Sequence, residues 1–521
     1  RPLMQVTLKQ DARNIAPWIM GITALSVSSI LAYIWIFPNQ NDRAALATLV
    51  RANPAFSLIF GPAHDLATPD GFNAWRALAL GGLFAALMSI LIVVRHSRAD
   101  EDSGQAELIA SAVVGRHTRL MVAVALAALA SVVLGVICSI LTILFGGGVA
   151  ASIALAATFT ASGLMFAGVA AITAQIGSDA PSATSYAVAV LGVSFLLRGA
   201  LDASGQTGWV WLSPLGWTQE VRPGSENNWW PLLACLGLAI LLVAIANLLL
   251  ARRDFGQGII PPSPGPARGG AVATIWGLAL RLQRGAMIAW TIAFAIVGGV
   301  FGIVASSLGD VFGNNPVIAR ILEGGGATSA GLVYLFLRTL LALMGILAAV
   351  YGVQVVMSIY SEEMEYRAEP LLAGALSRPK YLASNALIAL LGPAVALVVG
   401  GLAIGVVASA RGVDVTVSNL VGQALVEIPA VWVLIGLSLA LVGANPRGRM
   451  AAWLAIVATF ALTILGPTFR LWDWVLGISP LYHVPNITAP NPDFTGLAVV
   501  AAIAVAFIAV GFAGFSRRDV L

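Results

Sequence analysis

The chain has 521 residues; 59% of them are hydrophobic, 10% are charged, and the formal net charge is +4. Soluble domains carry about 25% charged residues, so this composition excludes an ordinary soluble domain and indicates a polytopic membrane protein. The arginines lie mostly in loops between apolar runs, which membrane topology explains without a nucleic-acid partner.

Apolar runs of about 20 residues, bounded by charges, proline or glycine, are typical of transmembrane helices. We therefore predict an all-α polytopic membrane protein with about twelve transmembrane helices. The run at 184–201 has the weakest pattern. The predicted spans lie near residues 16–37, 76–96, 119–145, 150–173, 184–201, 230–251, 286–307, 329–359, 383–410, 418–443, 450–467 and 495–514.

The distribution of basic residues predicts the orientation in the membrane, because cytoplasmic loops carry an excess of Lys and Arg. An inside N-terminus places Arg95, Arg252 and Arg517 on the cytoplasmic side, so both termini are predicted to be cytoplasmic. Lysine occurs only at Lys9 and Lys380, whereas arginine, alanine and glycine abound, as in proteins of GC-rich bacteria such as actinobacteria. The predicted location is the bacterial cytoplasmic membrane.

An internal repeat divides the chain. The pair Glu101 and Arg116 recurs as Glu363 and Arg378 at an offset of 262. Two further motifs recur in order, at offsets of 266 and 265: Ser213-Pro214-Leu215 as Ser479-Pro480-Leu481, and Arg252-Arg253-Asp254 as Arg517-Arg518-Asp519. Six spans per half give the halves the same orientation. We predict a first half at 1–251, a Pro-rich cytoplasmic linker with an interfacial helix at 252–285, and a second half at 286–521.

A short amphipathic segment precedes the first span of each half. Apolar Leu3 and Leu8 stand beside polar Lys9, and apolar Trp276 stands near Arg281. This pattern predicts an interfacial helix lying on the inner membrane surface before each first span. A solvated helical extension of the span itself is the alternative.

A charged island follows the second span of each half. Acidic residues lead and an arginine closes each island, which matches the dipole of a short helix, and Pro370 suits its first turn. The islands serve either as contacts for a partner or as solvated loops. The candidate coupling residues are Glu101, Asp102, Glu107, Arg116, Glu362, Glu363, Glu365, Glu369 and Arg378.

This arrangement resembles the coupling segment of ABC-2-type exporter permeases (the type V exporter fold), and the fused two-half form resembles the actinobacterial tetronasin-resistance, polyketide-antibiotic exporters. The resemblance implies two copies of a cytoplasmic ATPase, which bind ATP and Mg²⁺ and contact the islands. It also implies export of a drug or a hydrophobic, lipid-like amphiphile by alternating access.

The two Ser-Pro-Leu motifs precede the last span of each half and are rich in aromatic neighbours. Ser before Pro predicts a helix start, and Trp and Tyr favour the membrane interface. In the resembling family, short re-entrant helices cap the exit path here; simple interfacial anchoring is the alternative. The candidate extracellular gate comprises Ser213, Pro214, Leu215, Trp217, Ser479, Pro480, Leu481 and Tyr482.

Several ionisable residues fall inside apolar runs, where such groups usually face a cavity or each other. Glu427 lines a polar path or pairs structurally with an arginine. The resemblance implies that the second and fifth spans of each half line the path. The candidate path residues are Arg76, Tyr186, Phe195, Arg198, Arg338, Tyr351, Gln354, Tyr360 and Glu427.

Sequence motifs for chemistry are absent from the chain. It contains no Gly-x-x-x-x-Gly-Lys-Ser/Thr loop and no pattern for a metal site or a catalytic nucleophile, so we predict no cofactor of its own and no enzymatic activity. A secondary transporter of the major facilitator type is one alternative, although its Gly-x-x-x-Asp-Arg/Lys-x-Gly loop is missing. A polytopic membrane enzyme is another.

Overall fold

The computed structural model describes residues 2–37, 39–52, 57, 59–103, 116–203, 207–254, 257–260, 274–314, 329–374, 376–465 and 472–518. Within these residues the chain is helical and contains no β-strand, which confirms the all-α prediction. The chain divides into two compact units, unit 1 at Arg1–Gly265 and unit 2 at Pro266–Leu521.

Unit 1 is built from six long helices, and a further helix, Gln40–Ala52, lies in the connection between the first two. Thr68 begins the second of them: its hydroxyl accepts a hydrogen bond from the Gly71 amide at 3.1 Å, and Pro69 occupies the first helical position. A π-helical turn at Arg95–Ala99 and a last α-helical turn at Asp100–Asp102 continue the same helix. We label the helices α1 (Pro2–Ile36), α2 (Pro69–Val94), α3 (Arg116–Leu144), α4 (Val149–Ile176), α5 (Ala180–Ala203) and α6 (Trp230–Arg252).

Unit 2 repeats this order. Thr416 begins its fourth helix by accepting a hydrogen bond from the Asn419 amide at 3.3 Å. The helices are α7 (Ile275–Asn314), α8 (Ser329–Met364), α9 (Arg378–Ala410), α10 (Val417–Ala444), α11 (Met450–Phe460) and α12 (Thr495–Arg517).

Eleven helices in the described part of the chain are long and apolar enough to cross a membrane. They include α5, at the weakest of the predicted spans. The chain is therefore a multi-pass membrane protein. Helix α11 continues through a π-helical turn at Ala461–Leu465 into residues outside the described part, so the predicted span at 450–467 stays a prediction.

The amphipathic segments are continuous in backbone with the first spans. Helix α1 runs over 35 residues and α7 over 40 residues. The interfacial position of these segments stays a prediction.

The same helix pairs pack together in both units. Helix α4 packs against α2, α3 and α6, and α10 packs against α8, α9 and α12. Small residues permit the closest approach: a side chain at Gly443 would overlap the Gly511 backbone. Such small-residue contacts are typical of helix packing in membranes.

Candidate functional site

The acidic residue that opens the first island lies inside a cluster of arginines. Arg253, just after α6, donates from Nη2 to both carboxylate oxygens of Glu101, at 2.7 and 2.8 Å. Arg98 donates to Glu101 at 3.1 Å, and Arg119 Nη2 lies 3.7 Å from it. The Glu101 side chain is only 7% exposed. The pair of Glu101 and Arg253 therefore joins the end of α2 to the end of α6.

The second island repeats this contact. Arg518, just after α12, donates from Nη2 to both carboxylate oxygens of Glu363, each at 2.6 Å. The Glu363 side chain is 4% exposed. Two residues that repeat in sequence thus form the same ion pair in each unit, between the end of the second helix and the end of the last one.

Arg253 and Arg518 were not among the candidate site residues, although the sequence carried a signal for them. Each is the second arginine of the repeated Arg-Arg-Asp motif. The first arginine, Arg252 or Arg517, is exposed, whereas Arg253 is buried and Arg518 is half-buried. The motif therefore combines an exposed first arginine with a second arginine that faces inward.

Other coupling candidates near these helix ends contact neighbouring helices. Asp102 accepts a hydrogen bond from the Ala180 amide at 2.6 Å, which ties the end of α2 to the start of α5. Arg378 donates to the Arg518 carbonyl oxygen at 2.7 Å. Glu107 and the side chain of Arg116 lie outside the described residues.

The acids of the second island divide into inward and outward groups. Glu362 accepts a 2.5 Å hydrogen bond from the Tyr381 hydroxyl, so it faces α9. Glu365 is exposed and pairs with exposed Arg367 at 2.7 Å, and Glu369 is exposed at the start of a single-turn helix. The outward acids are the ones available to another protein.

An exposed aromatic residue lies at the end of α8. Tyr366 has φ +57°, in the left-handed region, and its side chain is 66% exposed. Its amide donates to the Glu363 carbonyl at 3.0 Å, and the Arg367 amide donates to the Glu362 carbonyl at 2.9 Å. This is the helix ending that usually places glycine at the left-handed position. The corresponding residue of the first island is Gly104.

The Ser-Pro-Leu motifs form short helical turns away from the arginine-rich helix ends. Pro214 begins a short helix, Pro214–Gln219, and Pro480 begins a 3₁₀ turn, Pro480–His483, which confirms the predicted helix starts. The serine hydroxyls do not cap these turns; each binds the preceding helical segment. Ser213 donates to the Ser194 carbonyl at 2.7 Å, and the Ser479 and Thr463 hydroxyls lie 3.1 Å apart.

The first turn packs beside α5. Ser194 lies nine residues before Ala203, the end of α5. At about 1.5 Å per residue, Ser213 is therefore anchored about 13 Å below that helix end. Leu215 is buried, and Trp217 donates to the Trp211 carbonyl at 2.7 Å.

The second turn is anchored among the helices of unit 2. Pro480 and Leu481 are buried, whereas Tyr482 is exposed. Gln423 of α10 donates to the Pro485 carbonyl at 3.1 Å, and Tyr334 of α8 donates to the Gln423 amide oxygen at 3.2 Å. The chain leaving the turn is thereby tied to two long helices.

Glu427 lies one turn below Gln423 on α10 and is 1% exposed. Its Oε2 atom has no hydrogen-bond partner within the described residues. Arg338 donates instead to the Val484 carbonyl at 2.6 Å, so these two candidates do not form an ion pair. A Cβ on Gly345 of α8 would lie 3.2 Å from Glu427 Oε2 and 3.6 Å from Leu481.

The same helix crossing in unit 1 carries a neutral residue. A Cβ on Gly82 of α2 would lie 3.0 Å from the hydroxyl of Ser162 on α4. Ser162 and Glu427 are 265 residues apart, and Gly82 and Gly345 are 263 apart, within the repeat register. The buried acid is thus a feature of unit 2.

The path candidates of unit 1 are divided between buried and exposed positions. Arg198 is buried, pairs with Asp202 at 3.3 Å and stacks over Phe195 at 4.6 Å. Asp202 is a partner that the sequence prediction missed, although its i, i+4 spacing was visible. Arg76 is half-buried, and Tyr186 is exposed.

The path candidates on α8 point in different directions. Tyr351 is buried and stacks on Trp290 with ring centroids 5.4 Å apart, whereas Gln354 is exposed. The Arg449 guanidinium lies 4.3 Å from the centroid of the Tyr360 ring.

No group of three His, Cys, Asp or Glu side chains in the described part of the chain could hold a metal ion.

Comparison with known proteins matches nearly the whole chain. The family model described as "Multidrug efflux system permease Rv1217c, C-terminal domain" matches residues 43–250 and 272–516. The multidrug efflux system permease protein Rv1217c of Mycobacterium tuberculosis is 36% identical over 530 aligned positions. That alignment covers 99% of this chain and 94% of the relative.

Proposed function

The chain belongs to the family of the Rv1217c multidrug efflux permease, and from this premise we propose that it is the membrane subunit of an ATP-driven drug exporter. Two copies of a cytoplasmic ABC ATPase bind its two islands; ATP and Mg²⁺ bind to those subunits. The proposal places the arginine-rich helix ends in the cytoplasm of a bacterial cell. Hydrophobic or amphiphilic drugs are the substrates.

The observation that carries the proposal is the exposed segment after α8. Tyr366 holds a backbone conformation that costs about 1–2 kcal/mol for an L-residue. Such strain persists where function requires the side chain. The ring is exposed between the exposed acids Glu365 and Glu369, which suit pairing with basic residues of a partner. An aromatic residue flanked by outward acids favours a protein-docking surface over a merely solvated loop.

Substrate movement follows from the same proposal. The re-entrant Ser-Pro-Leu turns close the outer exit, and ATP-driven closure of the ATPases moves the islands and opens that exit, as alternating access requires. In this proposal the chain supplies all of the membrane spans, twelve in total, for both ATPase copies. Arg338 and Glu427 stand beside the second turn, where its movement would uncover them.

The test is association with an ATPase. The tagged chain is purified from membranes of its native host, and co-purifying proteins are identified by mass spectrometry. We expect an ATP-binding cassette subunit at two copies per chain and drug-stimulated ATP hydrolysis. Transport that persists without ATP and collapses with a protonophore would contradict the proposal and favour a secondary transporter. Product formation by the chain alone would favour an enzyme.

Tyr366→Gly sharpens this test, because it removes the ring and also the backbone strain. We expect a higher unfolding temperature and weaker ATPase association, a combination that general damage cannot produce. Tyr366→Phe is the matched control and keeps association at the wild-type level. Full association of Tyr366→Gly with the ATPase would remove this residue from the docking surface.

A further inference from the structure

We propose that Arg253 and Arg518 are positioning residues that carry the movement of the islands to α6 and α12. The inference rests on the proposed function. It identifies the last helix of each unit as a direct receiver of the motor's movement, in addition to the helices that flank the island in sequence.

The ion pairs are suited to transmit displacement. One guanidinium nitrogen reaches both carboxylate oxygens at 2.6 to 2.8 Å in each unit, so each pair is a close, direct contact between two helix ends. Glu101 and Glu363 are almost withdrawn from water. Separating such a pair leaves a charge without its partner in a dry site, whereas an exposed pair separates at little cost. The two helix ends therefore move together.

Arg518 holds the second island at both of its ends. Its side chain binds Glu363, directly before the exposed segment, and its carbonyl oxygen accepts the hydrogen bond from Arg378, directly after it. A displacement of the segment between these points pulls on the end of α12 from both directions. Stacking of the Tyr381 ring on Phe515, at 6.1 Å, further joins α9 to the last turn of α12.

The two units hold their acids unequally. Glu101 faces Arg98 and Arg119 in addition to Arg253, and Arg253 also donates to Gln175 of α4 at 2.6 Å. At the offset of 262, Tyr360 replaces Arg98 and Tyr381 replaces Arg119 in unit 2. The first island is thus braced by several cations, whereas Glu363 relies on Arg518. Loss of Arg518 should consequently uncouple the exporter more than loss of Arg253.

The experiment compares variants of the full permease with its ATPase in proteoliposomes. Arg518→Gln is measured against Arg517→Gln, the exposed neighbour in the same motif. The exchange Glu363→Arg with Arg518→Glu tests whether the pair itself matters. The readouts are co-purification of the ATPase, the rate of ATP hydrolysis and the drug transported per ATP.

We expect Arg518→Gln to retain the ATPase but to transport less drug per ATP, by about 5- to 150-fold, the usual range for coupling between sites. The exchanged pair should recover part of this loss, Arg517→Gln should behave as wild type, and Arg253→Gln should lose less than Arg518→Gln. If Arg518→Gln does not fold, the exchanged pair decides: wild-type folding with no recovery of coupling overturns the inference.

The inference and the proposed function fail differently. Unchanged transport per ATP in Arg518→Gln overturns the positioning role while the ATP-driven exporter stands. Absence of an ATPase from the wild-type preparation overturns the proposed function before any variant is compared.

Discussion

Glu427 is a buried acid where α10 packs against α8. The equivalent contact between α4 and α2 in unit 1 has Ser162 at this position. Because Ser162 fills the corresponding position in unit 1, the packing alone does not require a carboxylate. A buried polar atom without a partner costs about 1–3 kcal/mol, so selection for stability alone would not favour Glu427. We therefore predict that the acid serves transport.

The substitution Glu427→Ser tests this interpretation. We expect the unfolding temperature of the purified permease to stay unchanged or to rise, because the unsatisfied oxygen is removed. Drug efflux from cells should fall by about tenfold, equivalent to about 1.4 kcal/mol of lost interaction. Ser162→Ala is the matched control: its hydroxyl is also buried without a hydrogen-bond partner among the described residues, so stability should stay unchanged or rise, while efflux stays unchanged. Destabilisation by about 3–5 kcal/mol would instead show that the Glu427 side chain has a structural role.

The partners of single residues were harder to predict than the residues themselves. Sequence repetition identified Glu101 and Glu363 as unusual, but it assigned them to a partner protein. In the fold both face arginines that lie more than 150 residues further along the chain. The repeat register contained these arginines as well, yet only helix packing shows which acid meets which base. The sequence showed only that Tyr366 stands where the first island has Gly104. The left-handed φ of Tyr366 is a property of the backbone and is seen only in the structure.

At the scale of elements, the Ser-Pro-Leu turns act either as a gate or as an interfacial anchor. Loosening one turn separates these two roles. The hydroxyl of Ser213 holds the short helix Pro214–Gln219 against α5 with a buried hydrogen bond. We expect Ser213→Ala to loosen the turn by about 1 kcal/mol, the usual net value of such a bond. A loosened gate should raise passive leakage of drug through proteoliposomes without ATP.

A control variant and a second test variant accompany the leakage measurement. Ser225→Ala alters an exposed serine of the same connection and should not raise leakage. Ser479→Ala alters the equivalent turn of unit 2 and should raise it. If Ser213→Ala lowers stability while leakage stays at the wild-type level, the turn is an anchor.

Element boundaries follow from sequence where one physical cause dominates. Apolar runs located the spans well, and proline after serine located the short turns. The segments before the first spans are harder to assign, because an amphipathic pattern fits a helix on the membrane surface and a helix extending from the membrane equally well. Their backbone is continuous with the spans in α1 and α7.

At the scale of the whole molecule, the repeat predicts two halves that need no covalent connection. The two compact units meet in sequence between Gly265 and Pro266, within the Pro-rich linker. We expect a protease site inserted there to permit cleavage of the reconstituted exporter with drug transport retained, because each unit contains its own packed helices and its own ion pair between the second and last helices. Cleavage at a site inserted in the first island, within residues 104–115, should abolish transport, because in the proposed function that segment carries force from the ATPase. Loss of transport on cleavage of the linker would show that the linker itself takes part in the transport cycle.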